Sequence, residues 1–422
     1  MLPSGIFNLK IKHISYSNSG SGAFTAAFRI HEAISSININ SGFYAVKNQM
    51  NDPETNIPQG KFFLLSILFR PLIASFIKKV FIKGDNIHRS LSILPSGWPK
   101  RINESSCDIV HLHWVNFEML SIIDISRIKK PIVWTLHDMW AFCGSQHLDV
   151  SSGYVDAYQS DNRNFLERVI NIDRWIWKKK AKAWKRKSIQ IVTPSTWLAK
   201  CVKESALMKD WAVTVVPNPI NTDLWAPVNK EVSRQILGLP INGKILAFGA
   251  FGFNTDKNKG YDLFIEALQY LENSSSIANL SVVLFGGHIS KEMNIKGFKV
   301  YSIGPLQDIF SMKLMYSAAD ALVMPSRIES FGQTATEANA CCTPVIGFNN
   351  SGLNDIIIHK QNGWLAEAFD TNDLAEGINW ILENEERLAD LSRNARADTI
   401  SRFSYPVVAR LYEEVYKVKL EK

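Results

Sequence analysis

The sequence predicts an α/β protein built of two parallel-sheet units, and three observations predict it. The chain has 422 residues, more than one hydrophobic core ordinarily serves. Short apolar, strand-like runs alternate with segments of helical periodicity, as parallel strands covered on both faces require. The alternation then restarts after "VVPNPINTDLWAP", where Pro217 and Pro219 stiffen a segment suited to an interdomain linker.

The elements follow in order. Residues 9–17, "LKIKHISYS", alternate apolar and polar side chains as a strand does. Next, Ala23, Ala26, Ala27, Ile30, Ile34 and Ile37 recur at helical spacing, so Gly20 and Gly22 fall in a strand-to-helix turn. Further strands are expected at 108–113, 131–137, 189–193 and 213–216. Beyond the linker, "KILAFGAFG", "LSVVLFGG", "ALVMPS" and "TPVIG" read as short buried strands, with helices over 261–271 and 373–381. Ligands of such sheets bind outside the carboxyl ends of the strands. Two such units joined by a hinge are expected to form a cleft.

The formal charge of +7 is unevenly spread. Residues 1–216 hold 28 basic and 16 acidic side chains, a balance of +12, and the remaining 19 basic and 24 acidic give −5. A cationic half suits a membrane surface, nucleic acid or a phosphorylated substrate, and lysine is also a common solubilising residue. The cysteines Cys107, Cys143, Cys201, Cys341 and Cys342 are odd in number and form no C-x-x-C pair. They support neither a disulfide framework nor a zinc site and fit a reducing compartment. No basic segment followed by an apolar run opens the chain, so no signal peptide is expected.

Two segments depart from the alternation. Residues 61–83, "KFFLLSILFRPLIASFIKKVFIK", are strongly apolar, edged by lysines and interrupted at Arg70-Pro71, and the uninterrupted part is too short to span a bilayer. Residues 174–187, "RWIWKKKAKAWKRK", set tryptophans among cations, seven of them in the last ten positions. Both read as membrane-surface elements, with apolar groups inserted and cations on anionic headgroups. They read equally as a buried core helix and a solvated helix face. No recognisable nucleic-acid-binding module accompanies the second, and no nucleic-acid partner is expected.

The stretch "SRIESFGQTATEANACCTPVIG" sets Glu329 and Glu337 eight residues apart. A turn over 327–332 leads into a helix that begins near Gln333. The first amides of that helix lack intrahelical acceptors and carry the positive end of the dipole, which suits a phosphate or diphosphate. Gly332 lets the backbone come close. Glu329 before the helix and Glu337 a turn inside it can flank such a ligand and accept from hydroxyls. On spacing alone, the better reading of Glu337 is a favourable acid in a first helical turn, worth about 0.3–1 kcal/mol.

In context the stretch resembles the E-x7-E element of the family 4 glycosyltransferases, which have the GT-B fold of two Rossmann-like domains facing across a cleft. The resemblance implies that Glu329 contacts the donor sugar and Glu337 the ribose of the nucleotide. The turn at Phe331, Gly332 and Gln333 would meet sugar and diphosphate through backbone amides. "SNSGSGAFTAAFRIHEAI" resembles the family's N-terminal glycine turn, which puts Gly20 and Gly22 at the donor phosphate. "DIVHLHW" and "VWTLHDMWAF" resemble two strand ends of the first domain, the second carrying the cleft histidine, His137. "DKNKGYDLFIEAL" is similar to the element whose lysine binds the donor diphosphate, here Lys259. "FSYPVVARLYEEVY" is similar to the last helix, which crosses back to the first domain. The implied domains are 1–216 with 403–422, and 217–402. In one departure Ala250 follows Gly249 where many members carry an arginine, and Lys257 is the candidate for that second cation.

The resemblance further implies retaining transfer from a nucleotide-diphosphate sugar to a glycan or polyprenyl-diphosphate-linked acceptor in surface-polysaccharide assembly. No metal or other cofactor is expected, and the expected place is the cytoplasm or the inner face of the plasma membrane. His137, Glu329 and Lys259 are the implied catalytic residues. Charge growing on the leaving diphosphate would be stabilised by Lys259, the helix amides and the glycine turn. His137, before Asp138, also reads as a plain turn residue. His111 and His113 flank Leu112 on one face, but no third ligand stands at metal-binding spacing. The alternatives are a non-catalytic nucleotide-sugar-binding subunit, a phosphorylase of the same fold whose cofactor lysine is not marked, and a nucleic-acid-binding protein.

Overall fold

The computed structural model describes residues 9–53, 55–57, 60–81, 87–159, 171–249, 252–253, 255–274, 277, 279–287, 292–306 and 308–421. The chain divides into two compact units, Met1–Pro219 with Val408–Lys422, and Ile220–Val407. Phe403 and Ser404 thus stay with the second unit. The Phe403 ring packs edge-on against Phe331 at 5.7 Å, and Ser404 bridges Ile220. The return to the first unit begins at Val408.

Each unit holds a seven-stranded sheet. In the first, β1 (Lys10–Ser17), β2 (Asn40–Lys47), β3 (Thr55–Asn56), β4 (Ile109–Leu112), β5 (Ile132–Thr135), β6 (Ile189–Thr193) and β7 (Val213–Val215) are all parallel, in the order β3-β2-β1-β4-β5-β6-β7. In the second, β8 (Lys244–Gly249), β9 (Leu280–Phe285), β10 (Glu292–Ile295), β11 (Phe298–Gly304), β12 (Ala321–Met324), β13 (Val345–Phe348) and β14 (Gly363–Ala366) run β10-β11-β9-β8-β12-β13-β14. Here β10 alone is antiparallel to its neighbour. The strand order reverses between β1 and β4 in one unit and between β8 and β12 in the other. Such a reversal opens a crevice at the carboxyl ends of the two strands.

Strands β4, β5, β6 and β12 are buried along their whole length, as their nearly unbroken apolar sequences require when helices cover both faces. Serine, asparagine or aspartate side chains cap many helices, each accepting from an amide of the first turn. Ser21, Asn171, Ser195, Asn229, Asp308, Asp370 and Asn384 all do so, at about 1 kcal/mol apiece.

The two aberrant segments resolve differently. Residues 61–83 give a helix over Lys61–Phe81, with Pro71 inside it. Apolar side chains lie on both of its faces, with Ile67 and Ile77 packed against the core beside Phe63. Phe63, Arg70 and Ala74 face inward, and Arg70 Nη2 donates to the carbonyls of Leu94 at 2.9 Å and Met119 at 3.4 Å. Leu65, Leu68, Phe69, Leu72, Ile73 and Phe76 face solvent, with Phe76 69% exposed. A core-helix reading therefore fails. The basic stretch forms the helix Ile172–Trp184, one face of which is buried. Trp184 is buried, and Lys180 is fully buried, donating to the carbonyls of Cys143 at 3.1 Å, Gly144 at 2.7 Å and Trp140. Burial pulls the Lys180 ammonium down to about 7. Lys187 is half-buried and donates to the Ile128 carbonyl at 2.6 Å. The expected patch of seven cations is thus reduced to Lys178, Lys179, Lys182, Lys185 and Arg186, which are exposed.

Candidate active site

In the second unit the site grows from the ends of β8 and β12. After β8 the chain makes a tight turn over Lys257–Lys259, and Gly260 follows with φ +69°. A Cβ on Gly260 would stand 1.9 Å from the Pro325 carbonyl oxygen, so only glycine lets this turn press against the end of β12. The contact is then zipped by hydrogen bonds. Arg327 N donates to the Asn258 carbonyl at 2.8 Å, Ile328 N to Asn258 Oδ1 at 3.0 Å, and Asn258 Nδ2 to the Ile328 carbonyl at 2.8 Å. Arg327 also bonds the Lys257 carbonyl at 2.5 Å and holds Asp262 through two contacts of 2.6 and 3.0 Å.

This zipper brings Lys259 Nζ to 2.9 Å from Glu329 Oε1, with 26% and 16% of the two side chains exposed. The Glu329 carboxylate holds the Lys259 ammonium above the ordinary lysine range, against the opposing cost of burial. Glu329 is itself fixed, since its amide donates to Ser351 Oγ at 3.1 Å and its carbonyl accepts from Gly352 N at 2.8 Å. Lys257 is exposed on the same turn. Ala250, where the family's arginine is missing, lies outside the described residues.

Three residues after Glu329, the helix Gln333–Ala340 starts from Gly332, whose φ of +108° is the left-handed region. A Cβ there would meet Leu353 Cδ2 at 2.6 Å. The Phe331 side chain is core, so Phe331 can serve a ligand only through its backbone. Gln333 is half-buried in the first turn. Glu337 is buried, and its Oε2 accepts from the Tyr316 hydroxyl at 3.2 Å. It is an anchored carboxylate rather than a loose surface acid.

In the first unit, β1 runs into the turn that holds Gly20, and Gly22 is the first residue of the helix Gly22–Ser36, capped by Ser21. The Asn18 side chain steadies this turn, accepting from Gln49 N at 2.9 Å and donating to Asn48 Oδ1 at 2.7 Å. His137 stands just beyond β5, half-buried. Burial draws its pKa down to about 4 despite the neighbouring Asp138, so the ring is neutral at pH 7. Asp138 is no idle turn residue. It accepts from Trp114 Nε1 at 2.8 Å and Trp140 N at 2.9 Å, and pairs with His147 Nδ1 at 2.6 Å.

Behind His137 lie more histidines than strand spacing suggests. Parallel pairing of β1 with β4 sets His13 opposite His111. His13, His111 and His113 place one ring nitrogen each within 4.8 Å of one another, and among the described residues this is the group with a metal-ligating arrangement. The third ring missing from the sequence reading is therefore His13, on the neighbouring strand. These rings are already bonded, however. His111 meets the Tyr416 hydroxyl at 2.8 Å and Thr135 Oγ1 at 2.7 Å, and His13 meets His113 at 2.9 Å. A divalent cation would have to break those bonds with no carboxylate in the group to offset its charge.

The sequence also gave no sign of Arg327 and Asn258 as the zipper, of Tyr316 as the partner of Glu337, or of Tyr412 and Tyr416 beneath β4 and β5. All are joined to the site by pairings across 21 to 305 positions of chain. Only a doubled motif, such as the paired "DKNKG" and "SRIES", could have hinted at the first.

Two Rossmann-like sheets, one with a lysine–glutamate pair beside a helix amino terminus, define a glycosyltransferase of the GT-B class. Residues 250–398 match the model of glycosyl transferases group 1, and residues 61–224 match that of glycosyltransferase family 4. Between them the two models account for most of the chain, which resembles the glycosyltransferases they describe. It is 24% identical over 337 residues to a D-inositol 3-phosphate glycosyltransferase of Xylanimonas cellulosilytica, covering 74% of this chain and 72% of that one. Among solved structures it is similar to HepE from Anabaena, determined with UDP-glucose, with a TM-score of 0.64, 17% identity and coverage of 97% and 100%. It is also similar to WaaG, a glycosyltransferase involved in lipopolysaccharide biosynthesis, with a TM-score of 0.61, 14% identity and coverage of 96% and 99%.

Proposed function

We propose that the chain is a retaining transferase that moves a sugar from a nucleotide-diphosphate donor to a glycan or polyprenyl-diphosphate-linked acceptor in surface-polysaccharide assembly. The observation that carries this reading is the Lys259–Glu329 pair beside the amino end of the helix Gln333–Ala340, where the strand order reverses. The UDP-glucose of HepE and the lipopolysaccharide role of WaaG support it.

The donor diphosphate is a second anion for Lys259. On its arrival the ammonium turns to the phosphate and Glu329 is released to accept from sugar hydroxyls. As the anomeric bond lengthens, negative charge gathers on the diphosphate. Lys259, the first-turn amides after Gly332 and the glycine turn at Gly20 and Gly22 stabilise it. Glu337, held by Tyr316, accepts from the ribose hydroxyls. His137 orients the donor sugar. The leaving phosphate takes the acceptor proton, so no protein base is needed. The cations are the protein's own, and the mechanism calls for no metal or other cofactor.

A lipid-linked acceptor fits the outward apolar stripe of Lys61–Phe81. No helix among the described residues is long and apolar enough to cross a membrane. Six exposed apolar side chains and the exposed lysines of Ile172–Trp184 suit peripheral docking on an anionic, cytoplasmic leaflet.

The test is a thermal-shift screen across UDP-, GDP-, ADP- and dTDP-sugars, with slow donor hydrolysis followed in the presence and absence of EDTA. Stabilisation by one nucleotide class together with EDTA-insensitive hydrolysis is expected. Stabilisation without hydrolysis or transfer would favour a non-catalytic binding subunit, and no stabilisation by any donor would sink the reading.

A further inference from the structure

His137 does not stand alone. Its Nε2 lies 3.2 Å from His113 Nδ1, and His113 Nε2 lies 2.9 Å from His13 Nδ1. The three rings lie end to end in a file, with centroids 5.4 and 5.2 Å apart and planes tilted by 24° and 13°. The file begins at the half-buried His137 and ends at His13, which is fully buried. His13 Nε2 has no hydrogen-bond partner among the described residues.

Burial depresses the proton affinity of all three rings. The ionisable groups facing them are His31, on the helix Gly22–Ser36, His111, and Asp138 beside His137, of which only Asp138 favours a proton. Three neutral imidazoles carry three N–H groups. Two are spent inside the file, one at each ring-to-ring bond. The third must sit at an end, on His13 Nε2 or on His137 Nδ1. At His13 it would be a buried donor with no acceptor, the rarer kind of orphan in folded proteins. At His137 it can meet water or a ligand.

We propose that His113 is a positioning residue for His137, donating from Nδ1 to His137 Nε2, with His13 donating in turn to His113, so that His137 is held as the Nδ1–H tautomer and offers a hydrogen-bond donor outward. The file acts as a one-way device. Its closed end cannot keep a proton, so its open end always shows one. His137 then recognises an oxygen acceptor, such as a sugar hydroxyl oxygen, and not a donor group. This rests on the reading of His137 as a donor-sugar contact only for its consequence, not for the tautomer.

The experiment is 15N spectroscopy of the full chain labelled at histidine, with the His137 signals assigned by their loss in His137→Gln. At pH 7.5 the wild type should show His137 as the Nδ1–H tautomer. His113→Asn keeps an amide donor at the same place and should retain that tautomer. His113→Leu should lose it, with kcat/KM for donor-sugar hydrolysis falling about tenfold, the worth of one ordinary hydrogen bond, while His113→Asn stays within about threefold of wild type. A wild-type His137 protonated on Nε2 overturns the proposal, as does an unchanged tautomer in a folded His113→Leu. If His113→Leu does not fold, the wild-type and His113→Asn spectra still decide. If His137→Gln hydrolyses the donor like wild type, the sugar-contact reading falls, and the spectra judge the file separately.

Discussion

Lys259 Nζ and Glu329 Oε1 stand 2.9 Å apart, so the side chains assigned to the donor diphosphate and the donor sugar hold each other. Lys259→Ala should weaken donor binding and turnover together, by roughly 10- to 100-fold, since a hydrogen bond to a charged group is worth about 1.5–3 kcal/mol. Glu329→Gln frees the ammonium and should keep donor affinity while lowering turnover. Calorimetric titration and initial rates separate the two. Full turnover of Lys259→Ala at saturating donor would move the role to another cation, Lys257 first.

Glu337 is buried and tethered by the Tyr316 hydroxyl at 3.2 Å. Glu337→Ala removes the carboxylate expected on the ribose, and donor affinity should fall by about tenfold or more. Tyr316→Phe leaves the carboxylate but loosens it, and its loss should be smaller. Equal affinity in Glu337→Ala and wild type takes Glu337 out of the site.

Gly332→Ala should destabilise the second unit by about 1–3 kcal/mol, the usual cost of a side chain in a disfavoured backbone region. The new Cβ also meets Leu353 Cδ2 at 2.6 Å. Urea unfolding followed by fluorescence measures it, and a change under 0.5 kcal/mol would show that the turn relaxes freely.

Docking on membranes should have two separable parts. Changing Leu68, Phe69, Leu72 and Phe76 together to serine should abolish the salt-resistant binding to anionic liposomes, with little change in melting temperature because all four are exposed. Reversing Lys178, Lys179, Lys182 and Lys185 to glutamate should abolish the salt-sensitive part. Wild-type protein that ignores anionic liposomes at low salt would end the docking idea.

Acid should unfold the first unit early. Burial lowers the pKa of His13, His111 and His113, and takes His31 and His137 to about 4. Between pH 6.5 and 4 the unfolded chain binds protons that the folded chain refuses, so stability falls as pH drops through that window. Each such ring contributes up to about 1.4 kcal/mol per pH unit. Unfolding midpoints measured from pH 7.5 to 4.5 test this, and a flat profile would mean that the rings protonate in place.

What was legible in the sequence was whatever repeats along the chain. Apolar–polar alternation placed β1, and short strand-like runs placed β4, β5, β6, β7, β8, β9, β12 and β13. β2, "NSGFYAVK", and β14, "GWLA", were not marked as strands, because each needs a neighbouring strand to complete its burial. The glutamate pair and Lys259 came from motif order. Their contact did not, since it depends on Gly260 passing under Pro325. The lysines from 178 to 187 look alike in one dimension. Only the packing of the helix Ile172–Trp184 sends Lys180 into the core and Lys179 outward, over the Trp175 ring at 4.4 Å.

The last helix, Tyr405–Glu421, sends the hydroxyls of Tyr412 and Tyr416 to Thr135 and His111, at 3.1 and 2.8 Å, in the middle of the first sheet. The half of the protein that leaves the ribosome first is therefore the half that is finished last. Until that helix emerges, β4 and β5 carry a buried histidine and a buried threonine without those partners. A nascent chain stopped after Val407 should hold a settled second unit and a first unit still open to protease. The helix Tyr405–Glu421 thus acts as a completion check, and a chain cut before it should lose the unit made earlier rather than the one made later.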